Sequence, residues 1–261
     1  MNVKLLLPLR QSRGFPLVAR PHVVAHRGSS ARHADNSWPA FEAAVSEGAD
    51  AIECDVQATR DRVIVIRHDL AIDDLLVADL SFAEIEARAP DTVVLADLLA
   101  FAKNAPIDLL VEIKDPIAAE AVAQMIDASA RRERIVVASF HGPALAGVKA
   151  TTPDVQTSFM MGSVAGPEEL IQLAAAFRVD GVHLCWETRA ARPHRLLDRK
   201  FIDRLRGAGL ATTLWHEERE DELRAMVAFE PDAICTNTPA VLRRIVGGHA
   251  TKGVAHDMIR D

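Results

Sequence analysis

The sequence predicts a single (β/α)8 TIM barrel. Three observations lead there. Short apolar runs alternate with stretches of helical periodicity along most of the 261 residues. Leaving out one hairpin return, the runs number eight: HVVAH, AIECDV, DLLVEIK, IVVASF, VQTSFMM, GVHLCWE, LATTLWH and AICTN. That alternation at this length is the pattern of a closed parallel barrel. Finally, no Gly-rich nucleotide loop follows any strand, which disfavours the rival architecture, a doubly wound open sheet.

Composition narrows the class. Hydrophobic residues make up 49% and charged residues 26%, which supplies a sizeable core in a water-facing domain. The net charge of −7 argues against a nucleic-acid partner. Cys54, Cys185 and Cys235 sit in strand-like apolar runs without a Cys-x-x-Cys pair, so they read as buried free thiols in a reduced compartment. No apolar run is long enough to span a bilayer. LLLPL near the N-terminus is broken by Pro8 and too short for a secretory core. Residues 1–21 therefore read as a lead-in, 22–246 as the barrel and 247–261 as a polar, frayed tail, with the cytoplasm as default address. The oligomeric state is left open.

The elements follow in order. After HVVAH, Ser37 is placed to cap a helix WPAFEAAVSEG, with Pro39 in its first turn and Gly48 as its stop. AIECDVQ and VIVIRHD are separated by only ATRDR, too short for a parallel crossover, so they form an antiparallel hairpin. A turn centred near Thr59–Arg60 would bring His68 back beside Glu53. LAIDDLLVADL is ambiguous. SFAEIEAR carries a capping-box pattern from Ser81 to Glu84. Helices are expected at LADLLAFAKNA, AAEAVAQMIDASAR, GPALAGVKA, GPEELIQLAAAF, HRLLDRKFIDRLRGAG, REDELRAMVAF and TPAVLRRIV. The extra hairpin would stand on the rim where barrel enzymes carry their sites.

Chemistry-bearing residues fall at that rim. Side chains two apart in a strand share a face, so Glu53 and Asp55 point together while Ile52 and Cys54 point away. Two adjacent carboxylates repel unless something positive lies between them. A hard, oxygen-preferring cation such as Mg²⁺ or Ca²⁺ is the economical answer. Glu112 and Lys114 repeat the spacing at the end of the next barrel strand, where an ordinary surface pair is the plain alternative. If the first strand lies beside the second, His26 and His68 flank the same cation.

His26-Arg27-Gly28, Asp35-Asn36-Ser37 with Pro39-Ala40-Phe41, Gly48 to Val56 (GADAIECDV), and His68-Asp69 resemble, in this order, the signature of the glycerophosphodiester phosphodiesterase family. Leu110 to Lys114 (LVEIK) and Ser139-Phe140 resemble its later motifs, and the likeness spans roughly residues 22 to 243. The resemblance implies metal-dependent hydrolysis of a glycerophosphodiester to glycerol 3-phosphate and an alcohol. Glu53, Asp55 and Glu112 would hold the metal. Arg27, Lys114 and Trp215 would bind substrate, and His26 and His68 would serve as acid and base in an unassigned order. The family's route through a cyclic phosphate made by a neighbouring glycerol hydroxyl is implied likewise.

Other positions receive plainer readings. Asn36 resembles the family asparagine that orients the rim, whereas Asp35 stands where the family has glutamate. After Trp215 come His216, Glu217 and Glu218, so the asparagine of the family's tryptophan motif is missing. Ser139 and Phe140 would shape the pocket wall, and His183 and Trp186 would mainly pack. His33, His141, His194, His249 and His256 read as loop or surface residues, and Glu217 to Glu222 as a solvated helix start. LAIDDLLVADLS lacks the arginine, threonine and glycine usual after the family's His-Asp. The head group is therefore open. Two alternatives stand beside the leading one: a phosphodiesterase of the same superfamily acting on lysophospholipids or another phosphodiester, and a barrel without turnover that binds ligands.

Overall fold

The structure is a computed structural model and describes residues 20–257, with side chains to residue 248. The expected lead-in therefore lies almost wholly outside the described residues.

Eight parallel strands close into a barrel: β1 (His22–Ala25), β2 (Ala51–Ala58), β6 (Asp108–Ile113), β7 (Ile135–Ser139), β8 (Gln156–Met161), β9 (Gly181–Leu184), β10 (Ala211–His216) and β11 (Ala233–Thr236). Closure comes from β1, which pairs in parallel with both β11 and β2. Helices α1 (Trp38–Ser46), α3 (Leu95–Asn104), α4 (Ala119–Asp127), α5 (Gly142–Thr151), α6 (Pro167–Phe177), α7 (Arg199–Gly207), α8 (Glu220–Val227) and α9 (Pro239–Asp257) alternate with them.

β3 (Ile64–Ile66) lies outside the ring, antiparallel to the end of β2. Behind it follow the short pair β4 (Ala71–Ile72) and β5 (Leu75–Leu76) and helix α2 (Phe82–Arg88). This insert builds its own small core from Val65, Ile72, Val77, Leu80 and Ile85. The capping box is present: Ser81 Oγ accepts from Glu84 N–H while the Glu84 carboxylate accepts from Ser81 N–H, an arrangement that stabilises a helix start by about 1 kcal/mol.

Alternation along the strands sorts side chains into two layers. Ile52, Cys54 and Val56 of β2 point outward into the large cluster shared with the helices, together with Phe41, Leu98, Val122, Leu205 and Trp215. Ala51, Leu110, Val136, Ala138, Met160, Ala233 and Cys235 fill the barrel interior. The face that carries Ala51 also carries Glu53 and Asp55, and the face that carries Leu110 carries Glu112. The apolar interior is thus a plug, and the carboxylates stand on top of it.

Three boundaries differ from the sequence reading. The β2–β3 turn is centred on Asp61 rather than Thr59–Arg60, with Val56 opposite Ile66. Thr59 Oγ1 donates to Asp61 and accepts from Val63 N–H, and Arg62 takes a positive φ, which lengthens the loop by a residue. The helix expected from His194 begins at Arg199, because Pro193 opens a separate 3-10 turn and Asp198 then caps Phe201 N–H. α9 continues to Asp257, through the stretch read as a frayed tail.

The loop after β1 packs closely against α1. Gly28 has φ +83°, and a Cβ there would stand 2.6 to 2.7 Å from backbone and Cβ atoms of Ala40 in α1. Gly28→Ala should therefore lower stability by roughly 2 kcal/mol or more. Thermal unfolding measures it, and an unchanged midpoint would contradict the packing described for this loop.

Candidate active site

Three carboxylates meet at the mouth of the barrel. Asp55 and Glu112 are register partners on β2 and β6, and Glu53 sits one step below Asp55 on the same face. One oxygen from each lies within 4.8 Å of the others, and all three residues are buried. Two full charges at 4.8 Å repel by roughly 3 kcal/mol at an effective dielectric of about 20, so the cluster needs compensation.

Two cations provide part of it. Lys114 Nζ is 2.9 Å from Glu112 Oε1 and 3.4 Å from Asp55 Oδ1. Arg27 Nε is 3.1 Å from Asp55 Oδ2, and the Arg27 backbone N–H donates to Glu53 Oε2 at 2.8 Å. The Asn36 amide donates to Asp55 Oδ2 at 2.8 Å. Arg27 and Asn36 both adopt φ +55°, and the Asn36 N–H bonds the Arg27 carbonyl, so a left-handed kink at each end aims both side chains at the carboxylates. Asp35 reaches the other end of the Arg27 guanidinium at 3.1 Å from a half-exposed position.

Three carboxylates against two cations leave one negative charge uncompensated. Burial, then Asp55 and Glu112, push the Glu53 carboxyl well above its usual range. Burial and Asp55 outweigh Lys114 and raise Glu112 to about 7. Burial also acts against Asp55, but Lys114, Arg27 and Asn36 outweigh it and hold that group below its ordinary value. Glu53 Oε1 and Asp55 Oδ1 remain buried without a hydrogen bond among the described residues. Buried acceptors of this kind are costly unless something satisfies them. An all-oxygen set with unsatisfied lone pairs fits a hard divalent cation in donor type and charge. Among the described residues this is the one such group.

Two of the expected histidines take different settings. His26 Nδ1 lies 2.6 Å from Asn237 Oδ1, and burial, His216 and Arg27 lower its pKa to about 3. His68 is partly exposed on the insert, its Nδ1 2.9 Å from Asp69 Oδ1. Register continued past Ile66 sets His68 opposite Cys54, one residue on from the expected Glu53. Gln57, which the sequence reading passed over, is buried and donates to the carbonyls of Arg67 and Asp69 at 2.8 Å, pinning the segment that bears His68. Its one sequence signal is the spacing Glu53-x-Asp55-x-Gln57, which sets it on the face of the two carboxylates.

Trp215 belongs to the outer layer. It is fully buried and stacks on Trp186 at 6.4 Å, away from the carboxylates. Its neighbour His216 lies over His26 instead. Ser139 is wholly buried and serves the backbone, donating to the Ile113 carbonyl and accepting from His141 N–H, while Phe140 is exposed. His183 is buried in the barrel as a neutral ring, its pKa lowered to about 3 by burial. The Glu217–Glu222 stretch is not a solvated helix start throughout. Glu217 is 3% and Glu222 0% exposed, the first bound by Arg219 and the second by Arg192 and His194.

Comparison with known proteins places this geometry. Residues 26–241 match the glycerophosphoryl diester phosphodiesterase family. A glycerophosphodiester phosphodiesterase of Caldanaerobacter subterraneus is 24% identical over 248 residues, 86% of this chain and 97% of the relative. A probable glycerophosphodiester phosphodiesterase 1 of Mycobacterium tuberculosis is 29% identical over 176 residues, and that match spans only 64% of the relative's length. A crystal structure of a glycerophosphodiester phosphodiesterase from Parabacteroides distasonis superposes with a TM-score of 0.75 at 23% identity, covering 88% of this chain and 98% of the other. An Oleispira antarctica phosphodiesterase in complex with sn-glycerol-3-phosphate gives 0.74 at 17% identity, covering 87% and 97%. At such identities these structural likenesses speak for the barrel. The family match takes in every strand of the ring beyond β1 as well as the carboxylate cluster, and the chain belongs to the glycerophosphoryl diester phosphodiesterase family.

Proposed function

We propose that this chain hydrolyses glycerophosphodiesters to glycerol 3-phosphate and an alcohol, with a divalent cation, Mg²⁺ or Ca²⁺, held by Glu53, Asp55 and Glu112. The observation that carries the reading is the convergence of three buried carboxylates with oxygens left unsatisfied. The family match and the product named for the Oleispira structure support the substrate.

The bound cation would neutralise charge on the phosphate oxygens. Arg27 and Lys114, already at the carboxylates, would bind the remaining phosphate oxygen and hold the phosphorus in line for attack. His26 is the base in this reading. Its Nδ1–H donates to Asn237 Oδ1, an oxygen that also accepts from Ser30 Oγ, and Nε2 is thereby left bare. It would take the proton of the attacking oxygen: a water, which gives glycerol 3-phosphate directly, or the glycerol hydroxyl beside the phosphate, which gives a cyclic phosphate that a water then opens to glycerol 3-phosphate. His68, backed by Asp69, would deliver a proton to the leaving alcohol oxygen. The buried apolar collar formed by Ala138, Met160 and Cys235 keeps bulk water from below. Trp215, fully buried against Trp186, would support the mouth from behind rather than touch the phosphate.

A second reading of the substrate has its own observation. The exposed large hydrophobics among the described residues are Leu70, Leu75, Leu76, Ile117, Phe140 and Val164. All of them lie on segments that follow β3, β6, β7 or β8, at the mouth. An apolar ligand lying along these loops would cover them. A lysophospholipid, with its acyl chain along this half of the rim, is the substrate that would use them.

His26→Ala and His68→Ala should each lower kcat/KM on glycerophosphocholine by about 10²- to 10⁴-fold with the fold intact. Chelation should abolish turnover and added Mg²⁺ or Ca²⁺ restore it. Release of glycerol 3-phosphate measures both, and chelator-resistant activity or wild-type turnover in either variant would sink the mechanism. Faster turnover of lysophosphatidylcholine than of glycerophosphocholine, lost on replacing Leu70, Leu76 and Phe140 with serine, would select the second substrate.

The charge balance gives a further expectation. With Glu112 raised to about 7 in the fold, the metal-free folded chain holds a proton that the unfolded chain has released above about 4.5. The Glu112 contribution to the stability of the metal-free protein should thus fall as pH rises through that window, while the buried His26 and His183, each lowered to about 3, pull the other way. Asp55 works the other way, its stabilising contribution disappearing only as pH falls below the usual carboxylate range. Denaturant unfolding with chelator at several pH values measures the slope, and a divalent cation should remove the loss. Without metal, Glu112→Gln should lose less stability than the wild type across the window, and an identical slope in the two would contradict the cluster's electrostatics.

A further inference from the structure

His216 occupies a place that the family motif does not assign. β10 carries a bulge: Leu214 pairs with Ile234, but the next partner, Cys235, faces His216. The extra residue is Trp215, which stays in the outer layer, and His216 is delivered to the mouth. There its ring lies on that of His26, with centroids 4.4 Å apart and planes 5° from parallel.

The two rings have different surroundings. His216 Nε2 is 3.7 Å from Glu187 Oε1, and its Nδ1 is 3.5 Å from Glu218 Oε1. These are ion-pair rather than hydrogen-bond distances, and Nδ1 has no hydrogen bond among the described residues, so it is the charge of the two carboxylates that favours a proton on each nitrogen. Among the described residues His26 forms no ion pair with a carboxylate; its Nδ1 faces an amide oxygen. The other charged or titratable groups acting on the pair are Arg27 on the loop after β1, His183 of β9 and the more distant Asp55 of β2. Consistently, the contact with Glu218, against burial, raises His216 above its ordinary pKa, and Glu187 adds to it. Stacked imidazoles tolerate one charge far better than two, so a protonated His216 disfavours a proton on His26.

We infer that His216, clamped as an imidazolium between Glu187 and Glu218, is a positioning residue: it holds the His26 ring in one plane and keeps its Nε2 free to accept a proton. This rests on the reading of His26 as base. His216 touches His26 and is assigned no contact with the reacting atoms. Plain aromatic packing at the mouth is the competing role.

Three variants of the metal-loaded enzyme separate these roles. His216→Phe keeps a ring against His26 and removes the charge. The pair Glu187→Gln with Glu218→Gln keeps the imidazole and removes what protonates it. His216→Ala removes ring and charge together. The readouts are the pH profile of kcat/KM, the split between kcat and KM, and the ¹⁵N titration of His26 by NMR. For the first two variants, the inference expects the His26 titration and the acid limb of kcat/KM to move up together by about one pH unit. KM should stay near the wild-type value. For His216→Ala it expects a further fall in kcat of about tenfold, as the ring plane is lost. An unmoved His26 titration in both charge-removing variants overturns the inference. Loss of activity with the titration unmoved would assign His216 to packing and overturns it too. A moved titration with unchanged turnover supports the coupling of the two rings and counts instead against His26 as base.

Discussion

The chain buries three carboxylates at one point and supplies only two cations to face them. Every other feature of the mouth answers that imbalance. Burying charge is unfavourable unless it is paired and hydrogen-bonded. Arg27, Lys114, Asn36 and the Arg27 backbone N–H are all drawn to the cluster, from the loops after β1 and β6. They leave two oxygens unsatisfied and two of the three carboxyls inclined to take up a proton. A site built for the protein's own stability would have filled the same place with apolar side chains, as the layer below is filled. The residual charge is what makes the cluster fit for a cation and an anionic phosphodiester.

The barrel explains why these residues can meet. Parallel register sets Asp55 against Glu112, and period-two alternation brings Glu53 onto the same inward face. The loop from His26 to Ser37 is held against α1 at Gly28, where nothing larger fits. Left-handed Arg27 and Asn36 then turn the loop inward. The insert after β2 carries His68 to the rim, on a small core of its own, with Gln57 as the tether.

Much of this was legible in the sequence because it rests on short periods. Glu53-x-Asp55 and Glu112-x-Lys114 declare their shared faces through strand alternation alone, and eight strand runs with helices between them imply the ring. What lay beyond reach depends on single-residue irregularities. The hairpin turn moved by a residue because Thr59 and Arg62 shape the loop, which no apolar pattern records. The bulge in β10 sends Trp215 outward and His216 inward, reversing what simple alternation assigns to each. Glu222 looked solvated because its partners, Arg192 and His194, come from a separate 3-10 turn about thirty residues earlier.

The central claim is that the leftover charge at Glu53, Asp55 and Glu112 is there to hold one hard cation. Calorimetric titration of Mg²⁺ or Ca²⁺ into the chelator-treated protein, repeated near pH 7 in two buffers of different ionisation enthalpy, tests it most directly. The account predicts one ion bound per chain, protons released on binding, and both effects lost in Glu53→Gln and Glu112→Gln. Absence of binding, or binding of equal strength without proton release in those variants, would contradict it.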